Sequence, residues 1–388
     1  MSAALGEGVG VDDAGLVELR KRLDEEAACC GIDRLRVAAA RADAVTRERL
    51  AAAFERGDLA TWNFDGERAR LAADPETILP GARAVVCIAV GYDTEPPAAR
   101  PPLAGRISRY AWSEDYHRTL RGALDRLEAV LRPFGRARAV CDTVPFAERA
   151  FAERSGLGWV GRHTGVIVPG LGALAFLGEI VTDIPLPPDE PIRKSCGSCR
   201  RCVDVCPTGA LRGDFTIDAT RCIGDLNQRL DAIPHAMRPL MGDWLWGCDL
   251  CTVACPPSRV APKVARPAFS PGPGISPYPD LAAILRLRSG EFKRTYRASA
   301  MGWRGGAILR RNAAVCLGNT LDRSAVPDLE GALVEDPHPL VRGHAAWALG
   351  RIASPRALRA LEMRLPLEGN AGVREEIETA LAWNHLDP

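Results

Sequence analysis

The sequence predicts three modules in series: an α/β domain, a bacterial-type two-[4Fe–4S] ferredoxin-like module, and C-terminal α-helical HEAT-like repeats. Three observations predict this. Helical and strand-like patterns alternate between residues 14 and 183. Eight of the thirteen cysteines fall within residues 196–255. Three related helical segments begin at 309, 341 and 373, 32 residues apart both times. A chain of 388 residues has room for two or three domains, and the expected boundaries are 1–185, 186–280 and 281–388.

In the first module, residues 14–31 have helical periodicity ending at Gly31. A strand is expected near residues 32–40, a helix over 44–57, and a buried strand from Val85 to Val90 after a Pro-Gly turn. Residues 117–135 read as an amphipathic helix with Leu120, Leu127 and Leu131 on one side. Strands over 137–144 and 173–183 flank a helix over 145–156 with Pro145 in its first turn. The Pro-rich stretch 183–191 then hands the chain to the cysteines.

The run CGSCRRCVDVCP at 196–207 has the C-x2-C-x2-C-x3-C-P spacing of bacterial two-cluster ferredoxins. CDLCTVACP at 248–256 is the same run with one cysteine missing, and Cys222 supplies it. Closely spaced thiolates on a tight turn reach three corners of one cubane, and the cysteine before Pro points to the other cluster. Cluster one therefore takes Cys196, Cys199, Cys202 and Cys255. Cluster two takes Cys206, Cys222, Cys248 and Cys251. Two tetrahedral zinc sites are the competing reading of eight thiols. A disulfide framework fits poorly, because the cysteines cluster and no secretory signal is visible.

A Pro-rich arm at 256–280 follows, with Arg259, Lys263 and Arg266 lacking acidic sequence neighbours until Asp280. The three repeats each carry an apolar residue followed by Arg, which suits stacked helices sharing one core. Residues 292–311 hold six basic residues and no acidic one, with Tyr296 and Trp303 interleaved. Such a patch could hold a phosphate backbone and stack a base; a solvated helix face explains it as well.

The formal net charge of +1 gives no global pull toward nucleic acid, so any such binding is local. The acidic start (Glu7, Asp12, Asp13) lacks the character of an export signal, and the apolar stretch 166–178 is short and broken by Pro169. A cytoplasmic, reducing location without membrane association is expected.

Clusters move single electrons, so bond chemistry needs a second centre. GLGWVG at 156–161 follows a helix, not a strand, which rejects it as a dinucleotide fingerprint; it reads as a tight turn beside a bulky ligand. Three polar groups stand out. Asp142 ends an apolar strand, where α/β sites lie, and a desolvated carboxyl there could act as a general acid; equally, it could cap the helix beginning at Pro145. RYAWSEDYH at 109–117 carries two tyrosines and His117. GRHTG at 161–165 carries Arg162 and His163.

These motifs resemble the epoxyqueuosine reductase family. RYAWSEDYH is similar to its tyrosine–aspartate–tyrosine–histidine motif, CDTVPFAERAFAERSGLGWVGRHT to its most specific motif, GCDLCTVACP to its cluster module, and MGWRGGAILRRNAAVCLGN to its entry into helical repeats. The resemblance spans most of residues 15–382 in the family's motif order. It implies cobalamin and two [4Fe–4S] clusters acting to reduce the epoxide of epoxyqueuosine at the wobble position in the anticodon loop of transfer RNA. It makes the first module a cobalamin-binding domain, with Asp142 as proton donor and Tyr110, His117, Asp142, Trp159, Gly161, Arg162, His163 and Thr164 as cofactor contacts. It further implies an external one-electron reductant of flavodoxin or ferredoxin type and RNA held by the helical repeats; a monomer is expected.

The chain departs from the family pattern at Ile223–Arg229, at Pro256-Pro257-Ser258 where the family has Pro-Trp-Asn, at Arg162-His163 where it has Lys-Asn, and at Ala72. A cobalamin reductase acting on another substrate, an iron–sulfur electron carrier without corrin, and an RNA-binding repeat protein with structural metal are the competing readings.

Overall fold

The structure, a computed structural model, describes residues 12–60 and 64–383; Glu7 of the acidic start lies outside them. Strands β1 (Arg34–Ala39), β2 (Ala84–Gly91), β4 (Ala137–Val140) and β7 (Ala175–Thr182) form one sheet in the order β1-β2-β7-β4. Every pairing in it is antiparallel. The first module mixes helices and strands as expected, but the site rule for parallel sheets does not apply to it. β2 is apolar along its length because all eight of its residues are buried, as a central strand covered on both faces requires.

Strand alternation divides the core in two. Val37, Val86, Ile88, Phe176 and Ile180 face helices Asp13–Cys29 and Tyr116–Leu131, whose leucines fill that layer. Val85, Cys87, Val140 and Val181 face the short helix Glu148–Arg154 through Phe151 and Ala152. That helix starts three residues later than Pro145. The Ala147 amide is drawn to the Ala72 carbonyl (2.8 Å), and Val144 is disfavoured from helical geometry by the proline after it.

Strands β5 (Trp159–Val160) and β6 (Val166–Ile167) form a hairpin beside this layer. Its glycines answer to the protein's own chain. A Cβ on Gly156, where φ is +75°, would collide with the Glu190 carbonyl, and one on Gly158 would sit 2.5 Å from the Ile167 oxygen. The GLGWVG turn is thus set by hairpin packing and by closure against the Pro-rich linker.

The cysteine module is tied to both neighbours. β3 (Arg106–Ile107) pairs in parallel with β8 (Trp244–Trp246). The Pro-rich arm is strapped to the first module: Lys263 meets Asp93 at 2.7 Å and Arg266 meets Asp33 at 2.6 Å. Lys263 and Arg266 lack acidic neighbours in sequence but find them across the fold.

Helices Gly306–Thr320, Val326–Glu335, Pro339–Ile352, Pro355–Arg364 and Ala371–Trp383 make the repeat stack. The period is visible in its contacts. A Cβ on Gly318 would lie 2.8 Å from Ala348, and one on Gly350 would lie 2.5 Å from Ala380. Arg310 pairs with Asp336 and Arg342 with Glu368, the same bridge one repeat later. Bridges this enclosed bring the Glu368 carboxyl down to about 2, chiefly through the Arg342 guanidinium. Among the described residues no helix is long and apolar enough to cross a membrane.

Candidate active site and cluster ligands

Asp142 leaves β4 with φ at +50°, a left-handed conformation that Asp tolerates better than most residues. It does not cap the following helix. The polarity is reversed: the Glu148 carboxylate, in the helix's first turn, accepts the Asp142 amide, and the Asp142 side chain turns outward, 69% exposed. Its Oδ2 accepts the Tyr116 hydroxyl at 3.1 Å and lies 3.8 Å from His117 Nε2.

Those partners stand on an aromatic floor. Tyr116 stacks on Phe176 (4.2 Å, 7°) and on His117 (4.1 Å, 26°), and Phe176 is backed by Tyr92 and Phe269. Tyr110 meets Tyr116 edge-on at 6.4 Å, and its hydroxyl accepts from Trp246 Nε1 at 2.8 Å. The Asp115 carboxylate, 2.6 Å from His117 Nδ1, and then Asp142 raise His117 to about 9. His117 is therefore an imidazolium at neutral pH, set between Asp115 and Asp142. A histidine raised above its ordinary 6.5 adds stability fully below that value and loses it as pH rises through about 9. The wild-type melting temperature is accordingly expected to fall between pH 6.5 and 9 by more than that of His117→Gln. Parallel melting curves would show otherwise.

The second group of expected cofactor contacts lies on the hairpin. Trp159 and His163 are buried, and Trp159 Nε1 and His163 Nε2 have no protein partner. His163 is held neutral, down to about 4, by burial, and its Nδ1 accepts the Gly165 amide at 3.1 Å, leaving Nε2 as the N–H. Two buried donors awaiting acceptors fit the amide-bearing rim of a corrin. Gly161 is required by the His163 ring, which a Cβ would meet at 2.9 Å. Thr164, at φ +67°, offers its carbonyl to Arg149 at 2.8 Å, which joins the hairpin to the helix behind Asp142. Arg162 turns away: its guanidinium staples the carbonyls of Gly197 (2.9 Å) and Gly213, on the cysteine loops.

All eight cysteines are free thiols and fall into two sets. Burial first, then Cys196, Cys202 and Cys199, pushes Cys255 up to about 11. Burial, then Cys222, Asp249 and Cys206, pushes Cys251 up to about 12, and Cys248 is raised beside Cys251 and Cys222. Cys255 thus lies near Cys196, Cys199 and Cys202, and Cys206 near Cys222 and Cys251. Trp159 packs with Cys255 and Cys196. Gly247, next to Cys248, lies so close to Tyr110 that a Cβ would reach its ring at 2.9 Å. The Cys248 set is therefore the one beside the Asp142 aromatics.

Several residues that matter escaped the sequence reading. Asp249, between two ligands, accepts from Ser108 Oγ and from the Arg109 amide (2.9 Å), fixing the Cys248 loop to β3. Asn227 bonds the backbone of Gly247 both ways, at 2.9 and 3.0 Å. Arg311 and Asn312, fully buried in the first repeat helix, grip the carbonyls of Leu226, Asn227, Arg229, Asp231 and Leu245. The divergent Ile223–Arg229 segment is thus the splint between the Cys222 loop and the repeats. Ser258 accepts the Ala173 amide at 2.8 Å and packs against Gly172, which accounts for a small residue there.

The basic stretch 292–311 divides. Arg310 and Arg311 are spent on the fold, and Tyr296 is buried (5% exposed) and unable to stack a base. Trp303 is exposed, with the Arg304 guanidinium 3.6 Å over its ring.

Comparisons with known proteins bear on the whole chain. Residues 73–143 match the family described as Epoxyqueuosine reductase QueG, DUF1730, residues 195–258 the 4Fe-4S double cluster binding domain, and residues 307–382 HEAT repeats. The epoxyqueuosine reductase of Bacillus subtilis is 34% identical over 371 residues, 94% of this chain and 95% of that protein. A crystal structure of epoxyqueuosine reductase with an epoxyqueuosine-modified tRNA-Tyr stem loop superposes with a TM-score of 0.89 at 33% identity, covering 95% of this chain and 99% of that one. A Bacillus subtilis structure, with its catalytic aspartate loop swung out of the active site, gives 0.88 at 33% identity with the same coverage. With three consecutive family matches and this overlap, the chain belongs to the epoxyqueuosine reductase family.

Proposed function

We propose that this protein reduces epoxyqueuosine to queuosine in the anticodon loop of transfer RNA, with Asp142 as the proton donor beside a bound cobalamin. The observation that carries the donor assignment is the position of Asp142: a solvent-facing carboxyl on a left-handed turn, held by Tyr116 and the His117 imidazolium. A relative whose catalytic aspartate sits on a loop able to swing out supports the same role for this turn.

Cobalamin, when bound, supplies the low-valent cobalt that the two-electron reduction of an epoxide requires. The chain's own residues do the rest. Tyr110, Tyr116 and His117 would hold the cobalamin from the Asp142 side, and Trp159, Gly161, His163 and Thr164 from the hairpin, with Arg162 tying that hairpin to the cysteine loops. Tyr116 donates to Asp142 and fixes which oxygen faces the substrate. The epoxide oxygen takes the Asp142 proton as its bond to carbon breaks, which removes the cost of expelling an alkoxide. The oxygen leaves as water once a second proton, taken from solvent, has joined it and the second electron has arrived. Electrons reach the site from the Cys248 set, itself fed through the Cys196 set on the exposed loop, from an external one-electron reductant. The repeats and the Trp303–Arg304 corner would hold the RNA. A reducing cytoplasm suits the thiol sets, and the three modules are divided at 185 and 280.

The test is anaerobic purification after supplying cobalamin, with iron, sulfide and cobalt assayed together, followed by turnover of epoxyqueuosine-containing transfer RNA. One corrin and two clusters per chain are expected, with queuosine formed only when reductant is added. Iron without stoichiometric cobalt would favour a plain electron carrier. Cobalamin without turnover of this RNA would favour another substrate.

A further inference from the structure

The loop that opens the cysteine module, RKSCGSCRR at 193–201, carries four cations and no carboxylate. Arg193, Lys194, Arg200 and Arg201 are all exposed, as is Arg259 on the short helix Pro256–Val260. Elsewhere the fold pairs its cations: Lys263, Arg266, Arg310 and Arg342 each meet a carboxylate at 2.8 Å or less. Among the described residues Arg193, Lys194, Arg201 and Arg259 meet none, and Arg200 reaches only Asp204, at 3.9 Å. A single exposed cation is ordinarily a solvated one. These differ in what they surround.

Arg200 and Arg201 line an open depression of about 760 Å³ together with Cys196, Cys199 and Pro256. Lys194 stands 5.7 Å over the Trp159 ring, which packs with Cys196 and Cys255. Pro256 opens the helix that bears Arg259. The Cys248 loop, by contrast, is backed by the buried Trp246, Asn227 and Asp249. Phe215 stands at the edge of the Cys196 face: the Arg162 guanidinium lies 4.9 Å over its ring and also holds the Gly197 carbonyl at 2.9 Å. Phe215 is 40% exposed, and its φ is +69°. Left-handed backbone is a genuine outlier for a bulky residue, and a ring this exposed offsets little of the cost. Strain kept on an exposed loop points to a use for the side chain.

We propose that this face, Arg193, Lys194, Arg200, Arg201 and Arg259 with Phe215 at its edge, docks a small acidic one-electron carrier protein. This rests on the Cys196 set being the electron inlet. Carboxylates on the carrier's rim meet the cations, and an apolar residue of the carrier covers Phe215. Long-range attraction speeds and orients the encounter, and electron-transfer complexes bury little area. An RNA backbone has the charge to meet the same cations, but it has no electron to give, and the depression is lined by cluster cysteines and not by Asp142. In each encounter one electron leaves the carrier's reduced centre, the carrier is oxidised by one electron, and the Cys196 set receives it. No bond forms or breaks. Two encounters supply the two electrons that epoxide reduction takes.

The test is stopped-flow reduction of the cobalamin-loaded, cluster-containing protein, read as bleaching of its iron–sulfur absorbance. The reductants are a photoreduced acidic flavodoxin and, separately, a neutral reduced deazaflavin. With flavodoxin the second-order rate constant is expected to fall about 10-fold between about 50 and about 500 mM salt. Arg193→Glu with Arg259→Glu should lower it about 10-fold at low salt and weaken binding of oxidised flavodoxin, while deazaflavin reduction and iron content stay at wild-type values. Phe215→Gly relieves the left-handed strain, so it should raise the melting temperature while weakening flavodoxin binding about 5-fold; unchanged binding would overturn the part given to Phe215. A flavodoxin rate without salt dependence, or unchanged in the charge variant, would overturn the docking face. So would equal losses with both reductants, which would place the cations' effect on the cluster itself. Loss of anticodon stem-loop binding in the charge variant, with flavodoxin binding intact, would overturn it in favour of an RNA contact. Wild-type protein that binds flavodoxin but is not bleached by it would instead overturn the inlet reading and leave the docking result standing.

Discussion

Asp142→Asn is expected to lower epoxyqueuosine turnover by about 10²–10⁴-fold, the range general acid catalysis supplies, while cobalamin binding and iron content stay at wild-type levels. The substitution is chosen so that little else changes. Asn adopts left-handed backbone as readily as Asp, so the turn at φ +50° is preserved. Its Oδ1 still accepts from Tyr116, and its amide still reaches Glu148. What it lacks is a transferable proton and a charge to face His117. A loss confined to kcat, with the transfer RNA still bound, identifies the proton. Full activity would remove Asp142 from the chemistry, and a parallel loss of cobalamin would assign it to binding.

Local spacing made the double-cluster module legible, because thiolate geometry at a cubane is encoded within a few residues. The same holds for the repeats, where the 32-residue period reappears as Gly318 on Ala348 and Gly350 on Ala380. Asp142 stood out because it follows an apolar strand. What the sequence concealed is long-range. The pairing of Asp249 with Ser108 and Arg109 spans 140 positions, and no local pattern encodes it. Pro145 suggested a helix start, but a backbone bond from Ala147 to Ala72 delays it. The antiparallel sheet was hidden too, since helices between strands suggest parallel order unless the pairing partners are known.

Two signals were available and unread. Arg311-Asn312 is a polar pair inside an apolar helical repeat, and it proves to be the anchor for Ile223–Arg229. Glu179 is a lone charge in an apolar strand. A buried-looking polar residue with no local reason to be there points to a partner elsewhere in the fold, and for Arg311 and Asn312 that partner is the segment after Cys222. The divergence at Ile223–Arg229 also reads differently in three dimensions. Its polar groups are satisfied by Gly247, Asn312 and Arg311, so the change in sequence is a change of splint, and Gln228 reaches Tyr110 on the cofactor side.

Removing single cysteines should resolve the crossed ligation. Cys255→Ala and Cys196→Ala are each expected to lower iron from about eight to about four per chain, and the double variant to lose no more than either single one. Cys206→Ala should empty the other site, so that Cys206→Ala with Cys196→Ala loses nearly all the iron. The thiol charges each cysteine feels support the crossing: Cys255 is raised by Cys196, Cys202 and Cys199, and Cys251 by Cys222, then Cys206 and last Cys202. Ligation by sequence runs alone makes the opposite prediction. In that case Cys196 and Cys206 would serve one cluster, their double variant would keep about four irons, and Cys255→Ala would empty the other. Either single variant is expected to abolish queuosine formation, for different reasons. Without the Cys248 set the electron cannot reach the Tyr110 side of the site, so chemical reduction should not restore turnover. Without the Cys196 set only the entry point is lost, and a small strong reductant able to reach the Cys248 set directly should restore part of it. Equal rescue of both variants would show that the two clusters do not stand in series.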